Sequence, residues 1–329
     1  MKHVARLCLA LAVLLLMLNA HIHHSTSGIS CSPWPHCYSL IGKGAAAPVP
    51  WLLTVQEIIT GLLALATLLL GLVSFRDGRH RTFSLAALGL VFLLTWLEWE
   101  SREAHHPALV VSLVVTVFTL LGAMGWLLFR LNPGAARYTE TRIRQARPAV
   151  LAALVLMSTQ VVLGALNTAN YTARSCPGLL TCDGAWFPDA TIYASLRVDR
   201  PYTISGDGHA TGNFERQAIQ LAHRWTAALM ALVAAWVALV AFGTTETLRR
   251  LGLAALTLAV AELVVGVAAA MTGIPRWLSL AHPVFAAALL LVLLKMHALS
   301  KERWWHDYSN VSDNTTPDWD RIVSSRSSR

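Results

Sequence analysis

Eight separate apolar runs, each near the length that crosses a bilayer, leave this chain few folds to adopt. About 20 predominantly apolar residues span the hydrocarbon as a helix. Runs of that kind occur at about 4–20, 51–74, 82–98, 108–130, 148–166, 218–241, 250–270 and 277–297. Backbone polar groups must pair internally in lipid, so such runs are helices. Of the 329 residues, 55% are apolar and 13% charged, which excludes a water-soluble globule of this size. The expected fold class is all-α, a polytopic membrane protein built as an eight-helix bundle.

Basic residues are retained in short cytoplasmic loops. On the span assignment above, 18 of the 26 Lys and Arg residues fall on one side, including Arg76, Arg79, Arg142, Arg144, Arg249 and Arg250. Both termini are therefore expected to be cytoplasmic. Residues 1–20 also carry the pattern of a secretory signal, whose removal would leave seven helices in the same orientation. The net charge of +8 is mostly this inner-face bias, and no basic stripe interleaved with aromatics calls for a nucleic-acid partner. The partner that the composition does call for is the lipid bilayer.

The chain reads as a duplicated unit. Cys31 and Cys37 follow the first apolar run, and Cys176 and Cys182 follow the fifth with the same spacing. Each loop leads into a long apolar segment with polar residues near its start, Glu57 and Thr60 in one half and Gln220, His223 and Arg224 in the other. Two parallel four-helix repeats follow: 1–147, 148–297, and a polar tail at 298–329 that is expected to be disordered. The inverted repeats common in transporters are absent. Both cysteine pairs face the oxidising side, which favours disulfides Cys31–Cys37 and Cys176–Cys182 and leaves Cys8 as an apolar filler. A zinc site of all four is the rival, although C-x5-C is wider than usual metal spacings. The plain role of the pairs is to brace their loops, with a redox role as the alternative.

Ionisable side chains inside membrane helices are costly and mark functional sites. Here they are Glu57, His106, His223, Arg224, Glu262 and His282. Two histidines on facing helices can ligate a haem axially, each with its second ring nitrogen held by another group. His223 and His282, near the starts of the sixth and eighth helices, are placed to do so. Gln220, one turn before His223, can reach a porphyrin edge, and Arg224 can pair with a propionate. His106-Pro107 matches His282-Pro283, with proline expected in the tolerated first turn of each helix. Glu57 and Thr60 match Gln220 and His223, but a hydroxyl is a poor ligand for haem iron. Glu262 is expected to hydrogen-bond within the bundle, and Glu98, Glu100 and Glu103 to form a solvated outer turn.

Three stretches carry a resemblance: Gly28-Ile-Ser-Cys31-Ser-Pro-Trp34-Pro35-His-Cys37; Leu163-Gly164-Ala165 continuing to Ser175-Cys176 and Cys182-Asp-Gly184-Ala-Trp186-Phe-Pro188; and Gln220-Leu-Ala-His223-Arg224. Together they resemble the haem A synthase family of cytochrome oxidase assembly proteins, over about residues 5–297. The resemblance implies a pseudo-twofold bundle whose rear half holds a resident haem b while the front half receives haem O as substrate. It implies an oxidoreductase that oxidises a ring methyl of haem O to a formyl group through successive hydroxylations. His223 and His282 would ligate the resident haem, His106 would face the substrate iron, and Glu57 would be the front-pocket carboxylate.

Two departures stand out. The family's Glu-x-x-His-Arg is here Glu57-Ile-Ile-Thr60-Gly61, and His23 stands where relatives often have arginine. His21, His23 and His24, just beyond the first span, read as a solvated interface. The reading is thus a haem O oxidising enzyme, with a non-catalytic haem carrier or b-type electron-transfer protein as the alternative. Expected partners are haem O and the haem O synthase that supplies it, and a homo-oligomer is compatible with such a bundle. Without an Arg- and Ser-rich transit peptide, the expected location is a bacterial plasma membrane.

Overall fold

A computed structural model of the chain describes residues 1–26, 50–77, 81–101, 107–131, 141–170, 172, 175–176, 178–182, 184–187 and 213–301. Within them lie α1 (Lys2–Thr26), α2 (Pro50–Asp77), α3 (Arg81–Glu100), α4 (Pro107–Leu131), α5 (Thr141–Ala169), α6 (Asn213–Phe242), α7 (Glu246–Met271) and α8 (Arg276–Lys301). All eight are long and apolar enough to cross a membrane, and every expected span lies within one of them. The chain is a multi-pass helical membrane protein.

Prolines set several helix starts, because a residue without an N–H costs nothing in the first turn. Pro50 opens α2 and Pro107 opens α4. The expectation that Pro283 does the same for α8 is corrected. Pro275 follows a turn in which Gly273 and Ile274 have φ of 81° and 59°, and α8 begins directly after it at Arg276. Pro283 therefore lies inside the helix, where it forfeits one backbone hydrogen bond. At the other end of α7, Thr245 caps the helix by accepting from the Leu248 N–H, and Glu246 pairs with Arg249 and Arg250.

The helices close into two rings of four. α1 packs on α2, α2 on α3, α3 on α4 and α4 back on α1; α5 packs on α6, α6 on α7, α7 on α8 and α8 back on α5. The rings meet through α4 with α5, α4 with α8, and α1 with α8. One apolar core runs through both, from Cys8, Leu63 and Leu94 through Leu121 and Met124 to Ala234, Leu289 and Met296. Helix association in lipid relies on close packing of small residues rather than on expulsion of water. Gly122 and Gly125 of α4 accordingly meet Leu290, Leu291 and Leu294 of α8. Large apolar side chains such as Phe92, Val155, Leu232 and Leu239 are exposed on the outer surface, a liability in water and a match to hydrocarbon.

The tightest small-residue contact joins α6 and α7. A Cβ at Gly252 would stand 2.9 Å from the Ala241 Cβ and 3.2 Å from the Ala238 Cα, so neither backbone has room to yield. Gly252→Leu is expected to cost about 1–3 kcal/mol through overpacking and to lower the midpoint of thermal unfolding in detergent. Gly61→Leu, at a position with nothing within 4 Å, is the control and should leave that midpoint unchanged.

Candidate functional site

The rear ring brings His223 of α6 and His282 of α8 together. Each lies at a similar distance along its helix, about 9–10.5 Å from the start of its span at Arg216 or Arg276. Their ring centroids are 6.2 Å apart with the planes at 74°. Two metal–nitrogen bonds of about 2 Å, plus about 1 Å from each nitrogen to its ring centre, require about 6 Å between centroids. The separation therefore suits one metal atom held between the rings.

Both rings are seated on glycine. A Cβ at Gly164 of α5 would lie 3.3 Å from Cε1 and 3.9 Å from Nδ1 of His223; one at Gly266 of α7 would lie 3.3 Å from Cε1 and 3.8 Å from Nδ1 of His282. With the Nδ1–Cε1 edge of each ring turned to a neighbouring backbone, Nε2 is the nitrogen left for a ligand. His282 Nδ1 lies 3.2 Å from Glu262 Oε1, within range of a hydrogen bond but not in line for one. His223 Nδ1 is buried and meets no polar partner. Gln160, one turn before Gly164, donates to the His223 carbonyl at 3.2 Å and accepts from the Thr226 hydroxyl at 2.5 Å. Gln220, one turn before His223, is buried.

These residues fit a haem. A porphyrin brings four equatorial nitrogens, so the protein needs only two axial donors and a buried cleft. Among the described residues no cluster of three or more His, Cys, Asp or Glu offers a site for a bare ion. A zinc site of four cysteines is excluded, since Cys176 and Cys182 are joined in a disulfide. The other pair, Cys31 and Cys37, lies outside the described residues, as does His106.

The disulfide loop is held by α6. The Arg224 guanidinium, expected at a propionate, donates to the carbonyls of Gly178 at 2.6 Å, Leu179 at 3.1 Å and Cys176 at 3.5 Å. Gln217 donates to the Ser175 carbonyl and the Trp225 indole to that of Trp186. Cys182 and Ala185 exchange backbone hydrogen bonds of 2.9 Å around Gly184, whose φ of 87° only glycine adopts readily. The loop is thus fastened beside the histidine pair through side chains of the helix that carries His223.

The front ring is built differently. Thr60 is buried and donates to Glu98 Oε2 at 2.9 Å; Asn19 donates to Glu98 Oε1 at 3.4 Å and accepts from Gln56 at 2.8 Å. The expectation that Glu98 belongs to a solvated turn is corrected, because the helix turns it inward to this cluster at 6% exposure. Glu57 stands on the exposed face of α2, so Glu98 is the carboxylate that the front ring buries. Sequence reasoning misplaced Glu98 and passed over Asn19, Gln56, Gln160 and the seating role of Gly164 and Gly266. One signal was present: Gln160-x3-Gly164 and Glu262-x3-Gly266 repeat one spacing on the two helices that flank the histidine helices.

Removing the Arg224 side chain tests the fastening. Hydrogen bonds from a charged donor contribute about 1.5–3 kcal/mol each, so Arg224→Ala should speed amide exchange at Cys182 and Ala185 by at least tenfold. Unchanged rates would show that the loop holds its place without the guanidinium.

Comparison with known proteins supplies the context. A sequence model described as cytochrome oxidase assembly protein, COX15-CtaA, matches residues 45–294, which include both histidines, both seating glycines and the fastened loop. A protein of Shewanella oneidensis named Heme A synthase is 24% identical over 331 residues, covering 93% of this chain and 97% of its own length. The chain belongs to the COX15-CtaA family of cytochrome oxidase assembly proteins.

Proposed function

We infer that the protein is a haem A synthase, oxidising a ring methyl of haem O to a formyl group for cytochrome oxidase assembly. Membership of the assembly family and the full-length similarity to a protein named Heme A synthase support the reaction. The observation that carries the site is the histidine pair at 6.2 Å, each ring seated on a glycine.

In this reading the rear half, residues 148–297, holds a resident haem b through His223 and His282. A haem bound there would supply one-electron transfer. The chain's own residues do the rest: Gly164 and Gly266 give the rings room, Glu262 stands behind one of them, and Arg224 fastens the disulfide loop beside them. The front half, residues 1–147, receives haem O, with His106 facing the substrate iron. Of the two front carboxylates, Glu98 has the surroundings for moving or holding a proton, since Thr60 and Asn19 address its oxygens inside the ring. Glu57, on the outward face, serves at the margin of that half. The matching helix contacts of the two rings support a pseudo-twofold relation between the halves. The basic-residue bias supports cytoplasmic termini; a bacterial plasma membrane is the location in this reading, and the haem O synthase that supplies the substrate is the natural partner.

A second reading has a specific observation behind it. Thr60 occupies the place where the rear half has its ligand, and its hydroxyl is committed to Glu98. A haem carrier with an intact rear site and an inactive front half would look the same there.

Purified wild-type protein is expected to show a low-spin bis-imidazole spectrum that is absent from His223→Ala and His282→Ala. Gly164→Leu and Gly266→Leu should lower haem content severalfold by displacing the rings. Supplied haem O should be converted to haem A by the wild type. Haem b alone, without conversion, would decide for the carrier, and a low-spin spectrum surviving in either alanine variant would remove the site.

A further inference from the structure

The two imidazoles at the centre of the rear ring have unlike surroundings. Behind His223 stands Gly164, and the polar residue one turn earlier, Gln160, is committed to the backbone of α6 and to Thr226. Behind His282 stands Gly266, and the polar residue one turn earlier, Glu262, has Oε1 3.2 Å from the ring's Nδ1. Glu262 lies near the middle of its helix with a side chain only 14% exposed, and its Oε2 is buried with no hydrogen bond. A carboxylate at that depth is costly, and among the described residues the imidazole of His282 is the group positioned to compensate it.

We propose that Glu262 is a positioning residue for the resident haem, acting through His282 and making the two axial ligands chemically unequal. The proposal rests on the reading that His223 and His282 share a haem. With Nε2 committed to iron, Nδ1 of His282 would carry the proton, and Oε1 of Glu262, 3.2 Å away, is the acceptor that a reoriented ring would engage. A carboxylate accepting from a ligating imidazole fixes its tautomer and orientation and strengthens it as a donor. A stronger donor favours the more highly charged, oxidised iron. His223 receives no such help, because its Nδ1 has no polar partner. The centre thus has one strengthened and one ordinary ligand, and Glu262 holds the reduction potential below the value that two ordinary histidines would set.

The test uses the full-length, haem-loaded protein in detergent, titrated spectroelectrochemically, with electron paramagnetic resonance of the oxidised form. Glu262→Gln keeps the size of the side chain and removes the carboxylate; Glu262→Leu also removes the acceptor. Both are expected to retain haem and to shift the equilibrium toward the reduced form. The shift should reach at least tenfold in the leucine variant, which is 59 mV for one electron, with a smaller shift of the same sign for glutamine. The g values of the oxidised haem should move in parallel. Glu246→Gln removes a carboxylate from the same helix about 24 Å away and should leave both readouts unchanged. Should the leucine variant fail to hold haem, the glutamine variant decides by the sign of its shift. Wild-type potential and g values in the glutamine variant, or a shift equalled by Glu246→Gln, would overturn the proposal while leaving the histidine pair in place. A wild-type protein without haem would overturn the pair and the proposal together.

Discussion

A polar side chain in hydrocarbon must find a partner or repay its cost through function, and both rings of this bundle are organised around that demand. The front ring meets it by closure. Gln56, Asn19, Thr60 and Glu98 bond to one another from three helices, and the cluster leaves the two Glu98 oxygens engaged. The rear ring meets it by opposition, bringing two imidazoles to a distance that suits a shared metal atom. The same physical requirement thus gives a satisfied cluster in one half and a candidate binding site in the other.

Seating the rings is a packing problem solved by glycine. An imidazole facing into a bundle needs a neighbour without a side chain, because helices packed in lipid leave little spare volume. Gly164 and Gly266 meet that need on α5 and α7, and a Cβ at either would lie closer to the ring than ordinary van der Waals contact. The positive-φ turn at Gly273 and Ile274 brings α8 directly back on α7, which sets Glu262 and Gly266 against His282. On the other side, Arg224 fastens the disulfide loop to α6. The site is therefore held by α5, α7 and a loop whose carbonyls accept from α6, while α6 and α8 carry the two imidazoles.

What the sequence made legible follows from what repeats in it. Apolar run length disclosed the eight helices among the described residues, because a bilayer sets a minimum length for every span. His223, His282 and the Cys176–Cys182 pair were legible because costly residues recur in matching places. Side-chain direction was not legible. Glu57 and Glu98 are both acidic residues near helix ends, and only the packing of α2 and α3 turns the second inward. The place of Pro283 was missed because the start of α8 is set by the turn before it, a three-dimensional constraint that its own composition does not record. Arg224 was read as a partner for a cofactor, and the loop carbonyls that engage it are distant enough in sequence to escape any local pattern.

The difference between the halves is a paired one. Asn19 precedes Cys31 by twelve residues, as Gly164 precedes Cys176, and Thr60 stands where the other half has His223. Where the ring is missing, the glycine that would seat it is missing too, and the asparagine in its place bonds within the cluster that engages Thr60 through Glu98. A histidine at position 60 would remove the buried hydrogen bond that Thr60 donates to Glu98. The front half is built as a hydrogen-bonded carboxylate site in its own right. Its buried carboxylate, engaged by Thr60 and Asn19, stands in place of a second copy of the histidine pair.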